Sequence, residues 1–420
     1  MTGAADHKTR TLWLCGILHA FTHLYQVALV PLYLLIQRDL RPASVTAGPL
    51  LVTVMGLAYF LPSYGMGHLA DRFSRKKLLS AGLIINALGF IALAAAPNYP
   101  SALVSVMVAG FGGSFFHPSA TAMVARLCPV GTGRAFGLVG IGASAGFCFS
   151  PLYAGWRATV AHSWRAPVFE LGVLGLAMAI IFFWLAKEQS GSMRELDRPR
   201  PNEKIFPLPA LWFIFLAGSL AFSLRDFAGG GMVSLGSLFL QRAQGFDPKT
   251  TGLALSAMYL TSAVSNPLFG GLSDRARLRW AGAVLTVAAL MIFIFPRVPA
   301  RPSIAVLTIY GFFFMASYPM VEAALMESVP DSSRGRVFGI FITVAGLFGN
   351  VAHWAAGNWV RMLGTQAKDP AQYFSAYGLF AGLVLLSMLG LPCLYLIRRK
   401  EGLAPVSGLG SWEPSREGEF

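Results

Sequence analysis

Residues 67–77 read Gly67-His-Leu-Ala-Asp71-Arg72-Phe-Ser-Arg75-Lys76-Lys77. This polar, mostly basic stretch parts two apolar runs, 45–68 and 77–97, each about 20 residues long, the length that crosses the hydrocarbon core of a bilayer. The reading is a sharp turn between two antiparallel membrane helices, with cations gathered on one side. A second copy follows the apolar run 249–272, as Gly270-Gly-Leu-Ser-Asp274-Arg275.

The rest of the chain agrees with a membrane setting. Of 420 residues 55% are hydrophobic and 12% charged, against about 25% charged in ordinary soluble domains. The mean hydropathy is +0.59. A multidomain cytosolic enzyme and a disordered chain are both excluded. The net charge of +14 does not imply nucleic acid, because the basic residues cap apolar runs and so record topology. Cys15, Cys128, Cys148 and Cys393 lie in or beside apolar segments without C-x-x-C spacing, and read as small packing residues. The first apolar run, after Lys8 and Arg10, is longer than a signal-peptide core and reads as a retained span.

The fold class expected is an all-α membrane protein of about twelve spans: 11–36, 45–68, 77–97, 101–126, 134–157, 165–187, 207–240, 249–272, 280–297, 302–326, 335–361 and 372–397. With both termini cytoplasmic, roughly 22 Lys/Arg fall inside and roughly 10 outside. The polar segment 188–206 divides two six-helix halves, 1–187 and 207–400. Residues 401–420 form a Gly/Pro/Ser-rich cytoplasmic tail expected to be disordered.

The halves also match each other in register. His117-Pro118 corresponds to Tyr318-Pro319, Gly133-Arg134-Ala-Phe136-Gly137 to Gly335-Arg336-Val-Phe338-Gly339, and Ile36-Gln37-Arg38 to Leu240-Gln241-Arg242. Residues 67–77 resemble the loop 2–3 signature of the major facilitator superfamily, with Ser74 in place of its second Gly. The resemblance implies two pseudo-symmetric bundles around a midplane site reached alternately from either side. It makes Gly67, Asp71, Arg72, Arg75, Asp274 and Arg275 candidates for conformational gating, through ion pairs or helix-end contacts that hold the cytoplasmic side shut.

Two further segments point to a branch. Gly110-Phe-Gly-Gly-Ser-Phe-Phe116-His117-Pro118 resembles the fourth span of fosmidomycin-resistance-like exporters, and His19 matches a first-span His of that family. Thr22 and His23 stand where the family carries Asn-Asp. Gly146-x3-Ser150-Pro151-x2-Ala154-Gly155 resembles the antiporter signature of the fifth span, so Pro151 joins the gating set as a bend near the outer end. Val106 stands where drug–proton antiporters carry an Arg.

Ionisable groups inside spans cost several kcal/mol unless paired or hydrated, which makes them functional candidates. Arg225 and Asp226 lie near the middle of span 7, before Gly229-Gly230-Gly231, a triplet that predicts a flexible or broken helix. Adjacent helix positions do not face each other, so the two need not neutralise one another. They read as an anion-binding Arg, a proton-exchanging Asp or an internal salt bridge. His19, His23 and Gln26 share one face of span 1, with His117 at similar depth. The histidines read as cavity lining or proton relay, as packing groups, or as metal ligands. The i, i+4 pair has ligand spacing without an acidic partner, so no metal is assigned. Tyr318 and Glu322 on span 10, and Asn350 with His353 on span 11, complete the candidates. Glu170 and Glu327 read as solvated interfacial groups.

The function expected is secondary active transport, with proton-coupled export of a small organic molecule ahead of proton-coupled uptake of an organic anion held by Arg225. A membrane-embedded enzyme lacks a nucleophile–base pair or clustered acids, and no Gly-x4-Gly-Lys-Ser/Thr supports ATP-driven pumping. The partners expected are a small-molecule substrate, protons and the lipid bilayer, with no nucleic acid and no cofactor. The protein is expected to be monomeric and multi-pass in a plasma membrane, the inner membrane if bacterial.

Overall fold

The computed structural model describes residues 2–41, 44–128, 132–188, 206, 208–273, 276–329 and 334–400. Asp274, Arg275, most of the connector and the tail 401–420 lie outside the described residues. Asp71 lies in the last turn of a helix, but its side chain is likewise outside them.

The described residues are helical, with no strand among them. The first half comprises α1 (Thr2–Val27) and α2 (Tyr33–Leu40) as span 1, α3 (Ala47–Arg72), α4 (Arg75–Ala94), α5 (Tyr99–Gly113) with α6 (Phe116–Leu127) as span 4, α7 (Thr132–Ala161) and α8 (Arg165–Leu185). The second half comprises α9 (Pro209–Arg242), α10 (Pro248–Leu260) with α11 (Ser262–Ser273) as span 8, α12 (Arg277–Ile294), α13 (Ala300–Glu327), α14 (Arg334–Leu363), and α15 (Phe374–Ser387) with α16 (Gly390–Lys400) as span 12. Among the described residues ten helical stretches are long and apolar enough to cross a membrane. The expected spans outside that set are the second, the 26-residue α3, and the eighth, α10 with α11.

The breaks in spans 1, 4 and 12 have a covalent cause. Proline has no N–H to donate, and its ring clashes with the carbonyl four residues earlier. Pro31 ends α1 at Val27, Pro118 ends α5 just before Ser114, and Pro392 ends α15 just before Met388. Span 7, by contrast, is one continuous helix of 34 residues. The expected hinge at Gly229–Gly231 is therefore not a break. Those glycines serve close packing instead: Gly230 lies against the Gly349 carbonyl, and Gly229 and Gly231 lie under the Phe314 and Phe380 rings.

Within the first half α1 packs on α7, and α4 on α5 and α8; within the second, α9 packs on α14, α15 and α16, and α12 on α13 and α15. Two seams carry most of the packing between the halves, α3 against α14 and α7 against α10. The outer surface is apolar, with Trp184 75% and Phe213 76% exposed. Such side chains suit lipid as solvent and leave the helices to satisfy their own backbone groups.

One end of the bundle carries the basic turn. There Glu188 sits at the N-terminus of α4, accepting from Ser74 Oγ at 2.5 Å, Arg75 N at 3.0 Å and Lys76 N at 3.3 Å. Arg75 adds an ion pair to it at 3.5 Å. Partial burial alone would raise the Glu188 carboxyl pKa, but the Ser74 hydroxyl, the two N–H donors and the Arg75 charge outweigh it and hold it below the ordinary value of 4.5. At the same end of the second half, Glu327 pairs with Arg277 at 2.8 Å and with Arg398 at 3.8 Å. Glu170, near the opposite end, pairs with Arg157 at 2.7 Å. Both acids are thus ion-paired, where solvation was expected.

Candidate transport cavity

The halves enclose a cavity of about 550 Å³, within the range that suits a small organic molecule. His19, His23, Gln26 and His117 line it from the first half; Arg225, Asp226, Tyr318, Glu322 and Asn350 line it from the second. The structure therefore brings together residues chosen from spans 1, 4, 7, 10 and 11. The gating candidates lie elsewhere. Arg72 is exposed and Arg75 is tied to Glu188 inside its own half, while Gly67 has no atom within 4 Å of where a Cβ would stand.

Access to the cavity is one-sided. Toward the basic-turn end, Gly140 on span 5 lines the cavity with no atom within 4 Å of where a Cβ would stand. Toward the other end spans 2, 5, 8 and 11 touch. Gly155 abuts the Pro248 carbonyl, Gly252 abuts the Pro151 carbonyl, and Gly357 packs on Thr46 and Pro49. Only hydrogen fits at such approaches. Pro151 lies within the unbroken α7, so its place in this seal comes from its carbonyl as well as from any bend.

Hydrogen bonds reinforce the sealed end. Thr53 donates to the Asn350 carbonyl at 2.8 Å and accepts from Trp354 N–H at 2.9 Å. Tyr33 Oη and Ser234 Oγ are 2.7 Å apart, and Ser234 Oγ is 2.7 Å from His353 Nδ1. Ser237 donates to the Val30 carbonyl at 2.7 Å. On the cavity wall itself, rather than at the seal, Ser262 Oγ meets Ser144 Oγ at 3.1 Å, beside the Phe147–Tyr259 stack at 4.9 Å. Sequence reading had missed Tyr33, Ser234 and Thr53. Isolated hydroxyls on apolar spans carry no local signal, since their partners are about 120–300 positions away.

Arg225, 1% exposed, is held on several sides. Nη2 reaches Asp226 Oδ1 at 3.1 Å and Oδ2 at 3.4 Å, and Nη1 reaches Ser317 Oγ at 3.4 Å. The guanidinium carbon lies 4.0 Å from the Tyr318 ring centroid, a cation–π contact. The adjacent residues pair, one of the readings left open above, because the long Arg side chain folds back alongside its neighbour. Glu322 faces the same cavity with no cation within ion-pair distance among the described residues.

On the first-half wall, His19 Nδ1 bonds the Val139 carbonyl at 3.0 Å, His23 Nδ1 lies 3.0 Å from Gln26 Oε1, and the two Nε2 atoms are 3.0 Å apart. His117 joins them, so that one nitrogen of each of the three rings lies within 4.8 Å of the others. This is the one cluster among the described residues with the composition to hold a metal ion.

The model of the Major Facilitator Superfamily matches residues 12–353 and 227–415. The chain is 24% identical over 401 residues to the fosmidomycin resistance protein of Escherichia coli K12, covering 93% of this chain and 95% of that one. It is 26% identical over 238 residues to the quinolone resistance protein NorA of Staphylococcus aureus MRSA252, a match spanning 55% of this chain and 58% of NorA. Among solved structures it resembles a bacterial homologue of the human lysosomal transporter Spinster in an inward-facing, unoccupied conformation. That likeness has a TM-score of 0.73 at 16% identity, over 94% of this chain and 97% of the other. It also resembles the inward-open xylose transporter XylE of E. coli, with a TM-score of 0.72 at 12% identity, over 91% and 95% of the two chains. A family match over most of the chain, a two-bundle helical fold and a cavity between the bundles lead to one conclusion: the chain belongs to the Major Facilitator Superfamily and is a multi-pass membrane protein.

Proposed function

We propose that the protein is a proton-coupled exporter of a small organic molecule, with the cavity as its substrate site and the basic-turn end facing the cytoplasm. The observation that carries this is the convergence of polar groups from both halves on one cavity that is sealed at one end and open at the other. A substrate held there touches both halves, so its binding energy can bias their relative position, as alternating access requires. The orientation follows the lysine and arginine bias of the loops.

Glu322 is the proposed proton carrier, since it reaches the cavity without a paired cation, and Asp226 couples it to Arg225. Export is favoured over anion uptake by the state of Arg225. Both its Nη groups already face Asp226 and Ser317 and its ring face lies on Tyr318, so the buried Nε–H, which has no partner among the described residues, is what it leaves to a carboxylate. The relatives' names point to fosmidomycin and quinolones as the first compounds to try.

Inverted vesicles containing the protein should accumulate substrate when acidified inside, and Glu322→Gln should abolish the response to pH while the protein still reaches the membrane. Asp226→Asn should do the same. Unchanged pH-driven flux in both variants sinks the coupling assignment, and downhill movement in the opposite sense sinks export.

A further inference from the structure

We propose that His19, His23 and His117 form a binding site for a divalent transition-metal ion of the zinc class on the wall of the cavity. The argument begins with where the ring protons must be. The Val139 carbonyl can only accept, so the His19 Nδ1 that meets it at 3.0 Å carries the hydrogen. That leaves His19 Nε2 a bare lone pair. Gln26 Oε1 does the same for His23 Nδ1, again at 3.0 Å. The two Nε2 lone pairs then point at each other across 3.0 Å, a repulsive arrangement that a cation between them converts into an attractive one.

The surroundings fit a metal. A ligating histidine typically donates its other N–H to a carbonyl or carboxylate, which fixes the tautomer and aims the lone pair. Here both span 1 rings are held that way. His117 supplies the third imidazole from the first turn of α6, offered at this depth by the break that Pro118 imposes on span 4. No hydrogen bond holds its ring among the described residues. Tetrahedral coordination at about 2.0–2.1 Å places ligand nitrogens roughly 3.4 Å apart. The ligand nitrogens of the three rings, within 4.8 Å of one another, close to that distance by side-chain rotation.

Three imidazoles suit zinc, copper or nickel better than magnesium or calcium. A set of three neutral ligands leaves the ion with its full double charge and one open position, and the rings line the cavity. That position favours hydroxide or an anionic oxygen donor such as a carboxylate or phosphate. That last step rests on the transport reading; the metal site does not.

The alternative arrangement is specific. A Gln26 amide turned end for end donates to His23 Nδ1, moves the ring proton to Nε2 and gives a closed histidine relay that needs no ion. The test uses the purified full chain, stripped with a chelator, titrated with zinc by calorimetry and with cobalt by visible absorption. One ion per chain, with a Kd below about 10 µM at neutral pH and the intense d–d bands of tetrahedral cobalt, is expected. His19→Ala and His117→Ala should weaken binding at least about 100-fold and Gln26→Leu about 10-fold, while His162→Ala, in the turn after α7 and outside the cavity, leaves it unchanged. Absence of cobalt bands in the unmodified chain overturns the proposal without any variant. So does affinity that survives both alanine substitutions. Because binding is read directly, a failure of the transport assay does not bear on the result.

Discussion

Asp226 holds Arg225, its neighbour in sequence, through an Nη2–Oδ1 contact of 3.1 Å at the wall of the cavity. Removing one partner of a buried pair leaves the other charge uncompensated, which costs about 3–5 kcal/mol. Asp226→Ala should therefore lower the melting temperature sharply, and Arg225→Met with Asp226→Ala should recover more than half of the loss. Equal stability of the single and double variants in a thermal melt would show that the pair does not act as a unit.

Ser234 bridges Tyr33 and His353 across the two halves. Ser234→Ala strands both partners at the sealed end, at a cost of about 1–3 kcal/mol in that conformation. The population should shift toward states open at that end. Distances between spin labels on spans 2 and 11 should lengthen there, and an unchanged distribution counts against the bridge as a latch.

Gly252 allows the Pro151 carbonyl to lie where a methyl group would stand. Gly252→Ala should push α7 and α10 apart at the seal, with an overpacking cost of about 1–3 kcal/mol. A cysteine introduced as Pro49→Cys should then react severalfold faster with a membrane-impermeant reagent from that side. Gly270→Ala, made where there is open space, serves as the matched control and should leave the rate unchanged.

Glu188 makes a pH prediction. Its folded pKa lies below 4.5, so the stabilisation it contributes is present above the unfolded value and is lost as pH falls through the folded one. Glu188→Gln should lower stability near neutrality by about 1 kcal/mol, after discounting for solvent screening. It should also flatten the loss of stability on acidification below about pH 4.5. A melting curve that keeps the same acid dependence in the variant refutes the assignment.

Much of the site was legible because an ionisable or strongly polar side chain in an apolar run costs free energy wherever it sits. Arg225, Asp226, Glu322 and the histidines stand out from their neighbours before any partner is known. Tyr33, Thr53 and Ser234 do not, because a hydroxyl in a helix can satisfy itself on its own backbone and is unremarkable on an apolar span. The three-glycine run was misread for a related reason. Glycine signals both a break and a close approach, and which of these holds depends on the helix alongside. At Gly230 that helix is α14, more than 100 positions away.

The sequence by itself determined the spans, their basic turns and the duplication of the halves, because the bilayer imposes length, polarity and charge bias on each segment separately. Proline positions also set the breaks in spans 1, 4 and 12, a covalent effect of local range. Only the tertiary structure decided which end is sealed, that Arg225 turns back onto Asp226, and that His117 meets His19 and His23. Those outcomes depend on distances between helices, and interhelical packing follows from shape complementarity among segments far apart in the chain, which no local pattern encodes.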